Sequence, residues 1–251
     1  MHDLKGKVAV VTGAAQGLGA TFAAALAAQG TKVVVTDVAD TAKAVAAIKS
    51  AGGVALGVQM DVTSNDSISA MVNASEKAFG PIEILVNNAG LFAALKLKPY
   101  SEIGEEEWDR VMTVNVRGMF QCVKGIVPSM RKAGRGKIVN LSSGTFFYGP
   151  PMMLHYVASK GAVVGLTRSL ARELGDLKIT VNAIAPGLTE SEGVKSHAQM
   201  GAAKAPTIAS RALKREMVPE DLVGAMLFLS SSASDFMTGQ LVNVDGGRTT
   251  Y

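Results

Sequence analysis

The sequence predicts a doubly wound α/β domain built on a seven-stranded parallel sheet flanked by helices. Three observations carry that expectation. Short β-rich apolar runs alternate with longer helical patterns along the chain. Several of those runs are apolar without interruption, as in Val8-Ala9-Val10-Val11 and Val33-Val34-Val35. A glycine-rich turn follows the first run at once. Uninterrupted apolar runs suit strands covered on both faces, which is the condition of a parallel sheet with right-handed crossovers. A chain of 251 residues can bury one sizeable core, so residues 1–251 are expected to form a single domain.

In chain order, strands are expected at Lys7–Thr12, Lys32–Asp37, Ala55–Asp61, Ile82–Asn87, Lys137–Ser142, Ile179–Ala185 and Gln240–Asp245. Helical patterns fill the intervals at Gly17–Gln29, Thr41–Ala51, Ser64–Phe79, Glu105–Arg131, Leu154–Leu174 and Pro219–Ser230. Ser64 and Pro219 stand at helix starts. A serine oxygen there can accept from the first turn, and a proline gives up only an N–H that has no helical partner. Residues 187–217 break the rhythm. They are rich in Ala, Lys, Ser and Met, with Pro206 between two short helical patterns. A long insertion after the C-terminal end of a strand is expected to act as a substrate lid.

Composition narrows the function classes. Hydrophobic residues make up 48% and aromatics 5%, which suits close helix–sheet packing and argues against disorder. The 25 basic and 21 acidic residues leave a net charge of +4, with the basic residues scattered, so no nucleic-acid partner is expected. The single cysteine, Cys122, lies in an apolar helical pattern and is expected to be a small core side chain. It can build neither a disulfide framework nor a thiolate metal centre, and no metal is expected. The first residues run straight into a strand without an apolar leader, and no stretch approaches the ~20 residues of a membrane span. A cytoplasmic location without a membrane partner is the expectation.

The glycine turn reads Thr12-Gly13-Ala14-Ala15-Gln16-Gly17-Leu18-Gly19 between the first strand and the first helix. Glycines there let a pyrophosphate approach main-chain N–H groups at a helix N-terminus. Gly13, Gln16, Gly17, Leu18 and Gly19 are therefore candidate cofactor contacts, although the Gly-x-x-x-Gly-x-Gly spacing differs from the usual dinucleotide fingerprint. Asp37 ends the second strand, where a carboxylate can accept both ribose hydroxyls of NAD and repel a 2′-phosphate. Neutral Gln16, where a basic residue would favour that phosphate, points the same way, to NAD. Asp61 and Val62 are placed for an adenine ring. Asn87-Asn88-Ala89-Gly90 ends the fourth strand; its amides can serve the cofactor or bridge neighbouring strands, and small Ala89 and Gly90 can let a ribose lie against the main chain.

Tyr156-Val157-Ala158-Ser159-Lys160 puts a phenol and an ammonium on one helix face. A nearby lysine cation is expected to lower the phenol pKa towards the operating pH, as acid/base work requires. Ser142-Ser143 ends the preceding strand, where a serine hydroxyl can bond a substrate oxygen as charge develops.

Together these motifs resemble those of the short-chain dehydrogenase/reductase family over essentially the whole chain. Thr12–Gly19, Asp61, Asn87–Gly90, Asn115, Ser143, Tyr156, Lys160 and Pro186-Gly187 occur in the family's order and at comparable spacing. The resemblance implies a Rossmann-type fold and a catalytic tetrad. Tyr156 would be the acid/base, Lys160 would lower its pKa and hold the nicotinamide ribose, and Ser143 would orient the substrate oxygen. Asn115 would hold a water in the proton path. Of the two asparagines, Asn88 would serve the cofactor, beside Ala89 and Gly90. Pro186 and Gly187 would flank the nicotinamide, and either Thr189 or Ser191 would hold its carboxamide. A homotetramer built on the long helices and the C-terminal segment is likewise implied.

The expected activity is an NAD(H)-linked interconversion of a secondary alcohol and a ketone. Thr145, Phe147 and Met153 are candidate substrate contacts with Ser143, in a segment whose aromatics and methionines suit a hydrophobic or aromatic small molecule. Phe146 and Phe147 could equally pack under the sheet edge. His155 is expected to be structural. A 3-oxoacyl-[acyl-carrier-protein] reductase is the alternative, weakened by Gly134 and Leu177 where such relatives carry docking arginines. A non-catalytic cofactor-binding scaffold has no chemical need for all four tetrad residues.

Overall fold

The computed structural model describes residues 2–195, 197 and 199–250. It contains strands β1 (Val8–Thr12), β2 (Lys32–Asp37), β3 (Val54–Gln59), β4 (Ile84–Asn87), β5 (Gly136–Leu141), β6 (Ile179–Pro186) and β7 (Leu241–Val244). All seven pair in parallel, in the order β3-β2-β1-β4-β5-β6-β7. The chain therefore returns after β3 to place β4 beside β1, and the crevice outside the strands' C-terminal ends opens at that reversal.

Alternation along each strand divides the core between the two faces. Ala9 and Val11 join Val33 and Val35 on one side, against Phe22 and Leu26 of α1 (Gly17–Ala28), Ile48 of α2 (Ala42–Ser50) and Met226. Val8, Val10 and Val34 face the other way, onto Ile68 and Met71 of α3 (Asn65–Phe79) and onto Cys122 and Ile126. Fully burying one such aliphatic side chain contributes about 1.5–3 kcal/mol, so two faces of them hold the sheet against its helices. Cys122 is buried there as expected, and burial pushes its thiol up to about 12.

The helices depart from expectation in two places. The pattern over Glu105–Arg131 is not one continuous helix: α4 (Glu105–Met112) and α5 (Met119–Ala133) are joined by a π-helical turn, Thr113–Gly118. Asn115 sits in that turn with its amide drawn onto the main chain of Leu91, which accounts for the local widening. Pro206 lies inside a helix rather than between two. After α6 (Thr145–Tyr148) and α7 (Leu154–Glu173), the 187–217 segment forms α8 (Glu192–Lys195) and α9 (Gly201–Ser210), and Pro206 is in α9. Residues Pro219–Leu222 are 3-10 and lead into α10 (Val223–Ser230).

Strand limits shift by a residue or two for visible reasons. β4 begins at Ile84 because the Ile82 N–H donates to Ser129 Oγ at 2.9 Å instead of joining the ladder. β3 stops at Gln59, since the Asp61 N–H turns to Ser67 Oγ at 3.0 Å. Ser64 caps α3 as expected, accepting from the Ser67 N–H at 3.2 Å.

Candidate active site

The glycine turn is built around close backbone approach. A Cβ on Gly19 would stand 2.2 Å from Gly13 O and 2.6 Å from Asn88 Nδ2, and one on Gly13 would stand 2.8 Å from Ala89 Cα. Asn88 closes this arrangement: its side-chain amide donates to Thr12 O at 3.0 Å and Gly13 O at 2.9 Å. The Thr12 hydroxyl oxygen accepts from the Asn88 and Ala89 N–H groups, both at 3.0 Å. No side chain caps the first turn of α1 and no acid lies in it. Its N-terminus is thus left open to an anion, as a pyrophosphate requires. Gln16, Gly17 and Leu18 stand on the wall of a cavity of about 420 Å³, together with Asn88 and Gly90.

Asp37 is fixed beside this turn. Its carboxylate accepts from the Ala15 N–H and the Ala39 N–H, each at 3.0 Å. Asp61 is exposed and accepts from the Thr63 N–H and hydroxyl at 2.8 Å. Val62 is buried against Gly118, where a Cβ would come within 2.8 Å of it. Neither Asp61 nor Val62 lines the cavity. Asn87 has a structural role: its amide donates to Asn140 Oδ1 at 3.0 Å across the sheet.

The reactive groups gather at the end of β5. Ser142 turns away, donating from Oγ to Lys160 O at 2.9 Å. Ser143 lines the cavity together with Tyr156, and its hydroxyl acts to lower the Tyr156 phenol pKa. Tyr156 and Lys160 share one face of α7, with Lys160 Nζ 5.6 Å from the tyrosine ring centroid and donating to Leu141 O at 2.8 Å.

Burial governs both ionisations. It pushes the Tyr156 phenol up to about 12 against a partial offset from the Ser143 hydrogen bond, and pushes Lys160 down to about 8. The expected lowering of the phenol by the lysine is therefore not seen in the protein alone. Desolvation disfavours both charged forms, and one of the ammonium's three N–H groups is spent on the Leu141 carbonyl.

Asn115 is fully buried. It accepts from the Leu91 N–H at 2.7 Å, and its amide donates to Leu91 O at 3.2 Å and to Ser159 Oγ at 3.1 Å. Ser159 in turn donates to Tyr156 O at 2.7 Å. Asn115 thus ties the Gly90-Leu91 backbone to the helix that carries Tyr156, with protein groups on both ends of its amide.

Across the cavity, Gly187 allows the chain to pass Asp245, since a Cβ would come within 2.9 Å of Asp245 Cα. Pro186, Gly187, Thr189 and Ser191 all reach the wall. Thr189 Oγ1 donates to Gly187 O at 2.9 Å, and Ser191 Oγ accepts from the Val194 N–H at 3.4 Å.

Among the candidate substrate contacts, Thr145 and Met153 line the cavity and Phe147 does not. The Phe147 ring packs edge-on to Phe146 at 5.3 Å, and Phe146 lies over Gly161 of α7. Tyr148, one residue on, takes the wall position instead. Sequence reasoning also missed Phe92, whose ring stands 5.1 Å from that of Tyr156, and Arg248, which reaches in from the C-terminal segment. Residues of 187–217, including Val194, Met200, Ala203 and Thr207, cover another side. His155 is buried and structural, with Nε2 3.3 Å from Glu107 Oε1. Among the described residues no His, Cys, Asp and Glu cluster suits a metal ion, and no helix is long and apolar enough to cross a membrane.

The chain is similar to known proteins over nearly its whole length. A family model described as enoyl-(acyl carrier protein) reductase matches residues 13–249. The short-chain reductase protein NovJ of Streptomyces niveus is 39% identical over 248 residues, covering 96% of this chain and 93% of that protein. Galactitol 2-dehydrogenase of Agrobacterium fabrum is 39% identical over 254 residues, covering 97% and 98%. A crystal structure described as a "putative gluconate dehydrogenase" from Agrobacterium tumefaciens superposes with a TM-score of 0.92 at 33% identity, covering 100% of this chain and 99% of that one.

Proposed function

The chain belongs to the short-chain dehydrogenase/reductase family, and from that premise we propose that it interconverts a hydrophobic secondary alcohol and its ketone with NAD(H), using Tyr156 as the acid/base. Membership makes it an oxidoreductase that takes a nicotinamide cofactor. The finer reading rests on one observation above all: Tyr156 and Ser143 stand buried on the wall of one largely apolar cavity beside the glycine turn.

The open first turn of α1 fits a pyrophosphate, held by the main chain at Gln16, Gly17 and Leu18. Gly13 and Gly19 permit the turn itself. Asp37 would take the adenosine ribose hydroxyls, which selects NAD over NADP by charge repulsion. Asp61 and Val62 would border the adenine, Asn88, Ala89 and Gly90 the ribose, and Lys160 the nicotinamide ribose. Pro186, Gly187 and one of Thr189 and Ser191 would face the nicotinamide, which supplies or accepts the hydride.

The chain's own residues manage the proton. Tyr156 Oη gives a proton to the carbonyl oxygen in reduction and takes it from the hydroxyl in oxidation. Ser143 donates a hydrogen bond to the same oxygen as charge grows on it. A phenol held near 12 is fully protonated at neutral pH and ready as an acid; as a base it needs the Lys160 cation, which persists below about 8. Leu91, Phe92 and Met153 exclude water from the reacting end. The described part of 187–217 would act as the lid, exposed Tyr100, Phe120 and Leu154 support assembly into a homotetramer, and the cytoplasm is the proposed location.

The test is a spectrophotometric screen of NAD reduction across secondary alcohols graded by size and aromaticity. Turnover rising with apolar bulk supports the reading. Turnover confined to acyl-carrier thioesters would replace it with the carrier-protein reductase, and binding of cofactor without turnover of anything would replace it with a scaffold.

A further inference from the structure

We infer that Arg248 recognises a carboxylate on the substrate, so that the molecule turned over is a hydroxy or oxo acid with an apolar body; this rests on the reading of the cavity as the substrate site. Of the described residues on the cavity wall, only Lys160 and Arg248 carry a charge, and none is acidic. Lys160 belongs to the reacting end, with its Nζ on Leu141 O and beneath Tyr156. Arg248 is the remaining cation, and its guanidinium has no carboxylate within salt-bridge distance among the described residues.

Its placement is built. Asp245 Oδ1 accepts from the Gly247 N–H at 2.9 Å and the Arg248 N–H at 3.0 Å. Asp245 Oδ2 accepts from the Thr249 N–H at 3.0 Å, the Thr249 hydroxyl at 2.7 Å and Asn243 Nδ2 at 3.0 Å. That carboxylate is therefore spent on holding the loop, and it leaves the arginine side chain to something else. The guanidinium carbon lies 3.8 Å from the centroid of the Tyr148 ring, and Nη1 donates to Thr207 Oγ1 of α9 at 3.4 Å. A ring beneath the guanidinium face occupies none of its five N–H donors, which lie in its plane. A half-buried cation in an apolar cavity gains most from a partner that brings the opposite charge and two acceptor oxygens. A carboxylate does both. The apolar wall between the two ends, including Leu91, Phe92 and Met153, then takes the body of the molecule.

The position of the cation also separates this role from the cofactor's. The pyrophosphate contacts are at Gln16–Leu18, whereas the Arg248 guanidinium is held on Tyr148 and on Thr207 of α9, so removing Arg248 is expected to leave NADH affinity unchanged.

The experiment is calorimetric titration of the NADH-saturated protein with phenylalkanoates from phenylacetate to 6-phenylhexanoate and with the matching primary amides. We expect the best carboxylate to bind the unaltered protein about tenfold or more tighter than its amide. Arg248→Met removes that preference, and Arg248→Lys keeps part of it, with NADH affinity and melting temperature unchanged in both. Equal binding of acid and amide, no binding by any member of the series, a preference that survives in Arg248→Met, or NADH affinity weakened by more than about threefold would each overturn the inference. Activity separates it from the reading it rests on. Hydroxy acids and their methyl esters turned over equally well would sink the anion site and leave the dehydrogenase. An acid preference in binding with no secondary alcohol oxidised would do the reverse.

Discussion

Thr145 gives Ser143 two hydrogen bonds, one from its N–H at 3.2 Å and one from its hydroxyl at 3.0 Å. Both end on the serine oxygen and fill its acceptor positions, so its single proton is left to donate. Tyr156 shares the cavity wall with it. Thr145 is thus a positioning residue for Ser143: it sets the direction of the hydrogen bond that the reacting oxygen meets.

Thr145→Val removes one of these bonds while keeping the side chain's shape. A neutral hydrogen bond is worth about 1 kcal/mol, so we expect kcat to fall by roughly fivefold to tenfold with KM for NAD unchanged. Thr145→Ser should recover most of the loss. Steady-state kinetics on the three proteins checks this, and an unchanged kcat in the valine variant contradicts it.

Lys160 sits near 8 in the folded protein against an ordinary 10.5. Between those values the unfolded chain holds a proton that the native one has lost, so stability rises with pH across that window. The effect of the shift is at most about 3 kcal/mol. Tyr156 acts in the opposite sense, since its phenol sits near 12 against an ordinary 10, and stability falls between those values. Urea unfolding of the unaltered protein and of Lys160→Met from pH 7 to 10 should show the rise only in the former. Parallel curves would contradict the assignment.

Asp37 holds its carboxylate on two main-chain N–H groups beside the glycine turn. Asp37→Ser removes the charge that repels a 2′-phosphate. We expect the ratio of kcat/KM for NAD over NADP to fall by at least about tenfold, a shift of about 1.4 kcal/mol. An unchanged ratio would take Asp37 out of cofactor choice.

Gly19 leaves no room for even one methyl group, because the atoms it would meet belong to the Gly13–Ala14 backbone and to the Asn88 amide that donates to Gly13 O. Gly19→Ala should therefore cost about 1–3 kcal/mol in thermal unfolding and weaken NADH binding. Gly17 is the control. Its Cβ would meet nothing within 4 Å, so loss there reflects only its φ of +59°.

The sheet was legible because Val8–Val11 and its counterparts are apolar on both faces, a pattern that covered parallel strands alone demand. The meeting of Ser143, Tyr156 and Lys160 was legible because two of them share one helix face and the third ends a strand, whereas Asn115 was named only through the family resemblance. The rest of the cavity was not, for physical reasons. Phe92 and Arg248 come from two separate loops and Tyr148 from the end of the four-residue α6, and segments this short carry no periodicity to reveal which side chain turns inward. The π turn at Asn115 depends on a partner, Leu91, on another segment. Phe147 and Tyr148 differ by one position on a four-residue helix, too short for its inward face to be read from sequence. The raised Tyr156 phenol follows from how completely the fold buries it, which no spacing records.

Tyr156→Phe tests the central claim most directly, because it removes one oxygen from a ring whose contact with Phe92 at 5.1 Å remains to hold it. NAD-linked oxidation of the best secondary alcohol, measured beside NADH affinity by fluorescence titration, separates chemistry from binding. We expect kcat to fall by about a hundredfold or more, the contribution of a positioned acid/base, while NADH affinity stays within a few fold. Turnover at the unaltered rate in the phenylalanine variant would contradict the assignment of Tyr156 as the acid/base.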